Sequence, residues 1–207
     1  MTRVNRTFVK ICGLRTPVDV AAAVAAGADA VGFVFAESPR QVSIDQAVAL
    51  TRGLPGNVAR VAVMCHPTQE EWDAVVTSFA PDWMQTDASD LATLAIGASA
   101  YCMPVYRDTP EFDSAALDGE MRVLFEAANS GIGERADWDK AAGLALDTQL
   151  MLAGGLDADN VATAIRLVRP WGVDVSSGVE RRRGIKDPNK IAAFVRAVRE
   201  LENRDAG

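Results

Sequence analysis

A thiol and two glycine-rich loops are the parts of this chain best suited to chemistry. Phe8-Val9-Lys10-Ile11-Cys12 reads as a strand, and Gly13 permits a sharp exit into Thr16-Pro17, an N-cap followed by a first helical residue. In a parallel α/β fold Cys12 would sit at the C-terminal edge of its strand, where such folds bind ligands. Taken alone, a cysteine closing a strand is more often a small buried apolar residue. Towards the other end come Ala153-Gly154-Gly155-Leu156-Asp157-Ala158-Asp159-Asn160 and Asp174-Val175-Ser176-Ser177-Gly178-Val179-Glu180. Their glycines would let a ligand approach backbone N–H groups, and helix N-termini nearby would add the positive end of a dipole. Either loop alone could be a tight turn or a cap. Two of them on adjacent strands point to an anion site, and a phosphate site in particular.

The elements that must position these groups alternate through nearly the whole sequence. Strand-like runs cover Thr7–Cys12, Ala30–Phe35, Val58–Met64, Asp82–Gln85, Ser99–Val105, Arg122–Glu126, Gln149–Ala153 and Gly172–Val175. Helices between them carry start signals. Thr16-Pro17 opens one that stops at Gly27, Ser43 with Gln46 and Thr68 with Glu71 form capping boxes, Asp157 caps Ala158–Val168, and Asp187-Pro188 begins Asn189–Leu201. Asp108–Glu120 shows no convincing helix. Eight strands spaced by about 26 residues predict a short, single (β/α)8 barrel with a reduced or missing helix after strand 5, residues 1–207 forming one domain. An open doubly wound sheet would show fewer strands and a GxGxxG after the first, which Cys12-Gly13-Leu14-Arg15 is not. In a closed barrel strand 8 adjoins strand 1. Lys10 and Cys12 then point inward together, with Asp174 in reach of Lys10, and that ammonium should help lower the Cys12 thiol pKa.

Composition narrows the classes. Cys12, Cys65 and Cys102 follow no paired or CxxC spacing, which predicts free thiols in a reducing compartment; Cys65 and Cys102 read as core or loop thiols. No apolar run is long enough to span a bilayer, and Met1 to Arg6 is polar and basic, so a soluble cytoplasmic protein without membrane partners is expected. A net charge of −7 disfavours nucleic acid, and Arg181-Arg182-Arg183 is too short a cluster to overturn that. The single histidine, His66, next to Pro67, reads as a solvated loop residue and rules out a His-rich metal site.

Val9–Gly13, Gly32-Phe33-Val34-Phe35 with Ser38-Pro39-Arg40, Leu152–Leu156 with Asn160-Val161, and Gly172–Glu180, continued by Gly184, Lys186 and Asp187, together resemble phosphoribosylanthranilate isomerase over about residues 7–198. The resemblance implies a short (β/α)8 barrel that performs an Amadori rearrangement in tryptophan biosynthesis without metal or organic cofactor. It implies that Cys12 is the general base, that Arg40 recognises the anthranilate carboxylate, and that Gly154, Gly155, Ser176, Ser177 and Gly178 bind phosphate; Asp174 joins the substrate-binding set. The partner is then a small phosphorylated substrate, and the protein a monomer or homodimer.

The pattern departs at strand 6. Where the family has an aspartate as general acid, followed by Gly-Gly-Thr-Gly-Lys and Phe-Asp-Trp, this chain has Glu126, then Ser130-Gly131-Ile132-Gly133-Glu134-Arg135-Ala136-Asp137-Trp138. Gly131, Gly133, Asp137 and Trp138 hold the register and place Glu126 as the acid. Its intrinsic pKa is close to that of aspartate (about 4.3 against 3.9) but it reaches one methylene further. After strand 4, Gln85-Thr86-Asp87-Ala88 replaces Gln-Leu-His-Gly, so Asp87 could bring a new carboxylate into the mouth, and Glu134 replaces a lysine. Two alternatives to an active isomerase follow: a diverged phosphate-binding barrel acting on another substrate, and a non-catalytic scaffold. A scaffold has no physical need for Cys12, Arg40 and both loops.

Overall fold

The computed structural model describes residues 6–97, 101–129 and 131–205. Met1–Asn5, Ser99 at the expected start of strand 5, and Ser130 lie outside the described residues. Eight parallel strands close into a barrel: β1 (Phe8–Cys12), β2 (Ala30–Val34), β3 (Ala59–Val63), β4 (Trp83–Asp87), β5 (Tyr101–Asp108), β6 (Arg122–Ala127), β7 (Gln149–Leu152) and β8 (Gly172–Val175), with β8 back against β1. Around them lie α1 (Pro17–Ala26), α2 (Ile44–Leu50), α3 (Gln69–Ser78), α4 (Ala88–Leu91), α5 (Trp138–Leu144), α6 (Val161–Val168) and α7 (Pro188–Asp205). The connection after β5 holds only a 3₁₀ turn, Ser114–Leu117, as its lack of apolar periodicity predicts.

Local chemistry accounts for the helix starts. Ser43 and Thr68 form the expected reciprocal capping boxes, and Thr16 forms a third with Asp19. Gly27 ends α1 at φ +88°, a left-handed conformation that glycine adopts without a Cβ clash. The expected start of α6 at Ala158 is corrected to Val161. Asp157 caps a turn instead, its Oδ1 accepting from the N–H groups of Asp159 and Asn160, while Asn160 Nδ2 donates to Gly155 O at 2.8 Å. That turn ties the β7 loop down. Strand 5 also runs further than expected, to Asp108 rather than Val105, and β4 ends at Asp87 rather than Gln85.

Two apolar layers result from strand alternation. The larger one packs the outward faces of the strands against the helices, with Val9, Ile11, Val31, Phe33, Phe125 and Val173 opposing residues such as Ala23, Ala164 and Phe194, all fully buried. The smaller one fills the barrel interior with Met103, Val105, Leu124, Met151 and Ala153. Below it, aromatic residues at the strands' N-terminal ends close the floor. Phe8 stacks on Trp171 with centroids 4.6 Å apart, Trp83 leans on both, and the Arg122 guanidinium lies 3.8 Å from the Trp171 ring centre. With floor and interior filled, chemistry is left to the strands' C-terminal ends.

Candidate active site

Register brings the first charged pair together. Lys10 is the Cα partner of Asp174 across the β1–β8 seam, and its Nζ lies 3.0 Å from Asp174 Oδ2, both side chains being buried. The approach is an ion pair without the angle of a directed hydrogen bond, and Asp174 Oδ1 has no hydrogen-bond partner among the described residues. Burial works against the Lys10 ammonium, but Asp174 and the Cys12 sulfur outweigh it and raise its pKa above the ordinary value.

Cys12 is 6% exposed at the end of β1. Gly32 on β2 makes room for it: a Cβ there would lie 3.1 Å from Cys12 Sγ and 3.2 Å from Lys10 Cε. The lowering expected from the Lys10 ammonium is present, but the net shift of the Cys12 thiol is upward. Burial pushes the Cys12 thiol up and Asp174 adds to the rise; Lys10 and Lys186 pull it down, as anticipated for Lys10, but do not offset desolvation.

The anion loops converge. Glu126, Gly131, Gly133, Glu134, Gly154, Gly155, Asp174, Ser176 and Ser177 line one cavity at the barrel mouth. The β7 and β8 loops touch so closely that a Cβ on Gly178 would sit 1.9 Å from Leu156 O. Gly154 and Gly155 hold φ of +86° and +63° against the backbone of the β6 loop. Cys12 does not line this cavity, but Ser176 Oγ donates to its carbonyl at 3.3 Å, and the Lys10–Asp174 pair links it to the wall.

Arg40 sits beside the cavity, sharing Gly131 and Ser177 with it, at the edge of a depression rimmed by Arg181, Arg182 and Arg183. Its fork is buried. Nε donates to Glu180 Oε1 (2.7 Å) and Nη2 to Glu180 Oε2 (3.0 Å) and Gly131 O (3.1 Å). Lys186 Nζ meets Glu180 Oε1 at 2.9 Å and Ser176 O at 2.8 Å. Burial alone would raise the Glu180 pKa, yet Arg40, Lys186 and the Gly184 N–H hold it below the ordinary carboxylate value. Because the folded value lies under the unfolded one, this stabilisation is present above about pH 4.5 and is lost as pH falls through the folded value. Glu180→Gln should therefore cost about 3–5 kcal/mol at pH 7 through the cations left unpaired. Urea midpoints at pH 7 and pH 3 would check it: the variant should lose less between them than the parent, and an equal loss would rule this account out.

At the opposite rim, Arg107 joins the two carboxylates that depart from the family pattern. Nη1 donates to Glu126 Oε1 at 2.8 Å and Nη2 to Asp87 Oδ1 at 2.7 Å. Asp87 thus enters the mouth, as expected, but as a partner of this guanidinium. Sequence reasoning missed Arg107 because it ended strand 5 three residues early; alternation from Val105 puts residue 107 on the same face. Glu134 turns from the family lysine's place to Asn129, accepting from its Nδ2 at 2.8 Å. His66, expected to be solvated, is exposed, yet its Nδ1 lies 2.8 Å from Asp90 Oδ1, and that carboxylate raises its pKa. Cys65 is exposed and Cys102 half-buried, and neither is in a disulfide.

The sequence model of the N-(5'phosphoribosyl)anthranilate (PRA) isomerase family matches residues 9–197. The chain belongs to that family. It is 39% identical to the PRA isomerase of Listeria welshimeri over 202 residues, covering 94% of this chain and 100% of the relative, and 41% identical to that of Azorhizobium caulinodans, covering 94% and 92%. The crystal structure of PRA isomerase from Thermotoga maritima superposes with a TM-score of 0.84 at 30% identity over 94% of this chain and 99% of that one. A PRA isomerase structure in complex with reduced 1-(o-carboxyphenylamino)-1-deoxyribulose 5-phosphate gives 0.80 at 29% identity over the same shares. This PRA isomerase carries Glu126 on β6 with the Arg107–Asp87 bridge beside it. No described helix is long and apolar enough to cross a membrane.

Proposed function

We propose that this protein converts N-(5-phosphoribosyl)anthranilate to 1-(2-carboxyphenylamino)-1-deoxyribulose 5-phosphate in tryptophan biosynthesis, with Cys12 as general base and Glu126 as general acid. The observation that carries the Glu126 and phosphate assignments is the cavity that gathers Glu126, Asp174, Gly154, Gly155, Ser176 and Ser177 at the mouth of a barrel of this family, while the Cys12 assignment rests on its place at the end of β1 beside the Lys10–Asp174 pair. The solved relative in complex with a phosphorylated deoxyribulose compound supports the same substrate class.

Glu126 protonates the furanose ring oxygen, which opens the ring to a Schiff base. Cys12 as thiolate then takes the C2 proton, and the resulting enolamine tautomerises to the ketose. One proton changes carbon and no electrons leave the molecule, so the balance requires no redox cofactor. Ser176, Ser177, Gly178, Gly154 and Gly155 hold the phosphate. Asp174 presents its unpaired Oδ1 to the sugar. Arg40 meets the anthranilate carboxylate through Nη1, the nitrogen left over from its Glu180 and Gly131 contacts. Residues 1–207 act as one catalytic unit in this proposal.

Purified protein given freshly prepared substrate should consume it, followed as loss of anthranilate-type fluorescence; no turnover above background would defeat the proposal. Arg107 is a positioning residue on this reading, since it holds Glu126 Oε1. Arg107→Met should lower kcat by about 10–100-fold with KM nearly unchanged, the size expected for an ångström of misplacement, and Arg107→Lys should restore part of it. A change confined to KM would remove Arg107 from this role.

A further inference from the structure

The turn after β3 and the end of β4 bring a thiol, an imidazole and a carboxylate to one point on the barrel rim. Cys65 Sγ, a His66 ring nitrogen and an Asp87 carboxylate oxygen lie within 4.8 Å of one another. The imidazole is held in place. Asp90 Oδ1 lies 2.8 Å from Nδ1, while Asp90 Oδ2 accepts from the His66 backbone N–H (3.0 Å) and from the buried Thr86 hydroxyl (2.6 Å). With Nδ1–H directed at a carboxylate, Nε2 carries the lone pair, an arrangement that recurs behind metal-ligating histidines. Nε2 stands 3.8 Å from Asp87 Oδ2. That is too long for a hydrogen bond, but near the roughly 3.4 Å between two ligands of a tetrahedral ion at bond lengths of about 2.1 Å. Arg107 already occupies Asp87 Oδ1, so Oδ2 is the oxygen offered.

We propose that Cys65, His66 and Asp87 form a binding site for a divalent transition cation of the zinc type, oriented from behind by Asp90. Sulfur and imidazole nitrogen select such an ion over magnesium or calcium, which take oxygen ligands. Three protein ligands leave a fourth position for water. Cys65, His66 and Asp87 do not line the cavity that holds Glu126 and Asp174, although Arg107 bridges Asp87 to Glu126, and binding here does not depend on the catalytic reading.

Cobalt(II) chloride added to metal-free protein tests this, because a sulfur-ligated cobalt ion gives a thiolate charge-transfer band in the near ultraviolet. One equivalent should produce the band. Cys65→Ser should abolish it, and Cys102→Ser should leave it. Zinc affinity, measured by competition with a chelator, should fall at least 10-fold in His66→Ala and by about 10–100-fold in Asp90→Asn. Cys65 and His66 are exposed, so their variants test the ligands without disturbing the core. Absence of the band in the parent protein, its persistence in Cys65→Ser, or an unchanged zinc affinity in His66→Ala would each overturn the proposal.

Discussion

Cys12→Ser should lower kcat by about 10²–10⁴-fold while KM moves little, the range set by removing a positioned general base. Serine has nearly the volume of cysteine, so the fit against Gly32 and Lys10 is kept and the barrel should retain its far-ultraviolet circular dichroism. The loss would then be chemical, since a hydroxyl does not ionise at the pH where a thiol does. The raised pKa of the thiol adds a sign: the free enzyme's kcat/KM should still climb through neutral pH, because only a minor fraction of Cys12 is thiolate there. A serine variant with full turnover, or a profile already flat at pH 7, would take the base role away from Cys12.

Gly178→Ala should be severely damaging, for its added Cβ makes the shortest approach among the described glycines. Its Cβ would stand 1.9 Å from Leu156 O and 2.9 Å from Leu156 C, both backbone atoms that cannot swing aside. The β7 and β8 loops must part, and the proposed phosphate cradle opens with them. Losing one or two charge-assisted hydrogen bonds at about 1.5–3 kcal/mol each raises KM by at least 10-fold. Overpacking of about 1–3 kcal/mol lowers Tm by roughly 2–12 °C in a chain of this size. Gly143→Ala is the control: nothing lies within 4 Å of its Cβ and it sits in a helix, so Tm should hold or rise slightly. Steady-state kinetics and thermal melts of the pair decide the matter, and equal behaviour would contradict the close approach.

The barrel itself was readable because alternation, caps and glycine stops agree along the chain: eight strands fall within a few residues of their expected bounds, and β8 lies beside β1 as closure requires. The Lys10–Asp174 pair follows from that closure and two-residue periodicity alone. What escaped were interactions between loops. The Arg40–Glu180 pairing joins residues 140 apart, and no local pattern couples them. Arg107 was hidden by a strand boundary, the least certain part of any reading from pattern. The thiol's net shift could not be judged without knowing how deeply Cys12 is buried, since a nearby ammonium and desolvation act in opposite directions.

The aromatic floor has a consequence for how the chain can be watched as it assembles. Phe8 comes from the beginning of the sequence and Trp171 from near its end, yet they stack face to face, with Trp83 from the middle beside them. That stack cannot exist until the last stave has docked against the first. With Trp72 and Trp138 replaced, the emission of Trp83 and Trp171 would therefore gauge ring completion from the pole opposite the strands' C-terminal ends.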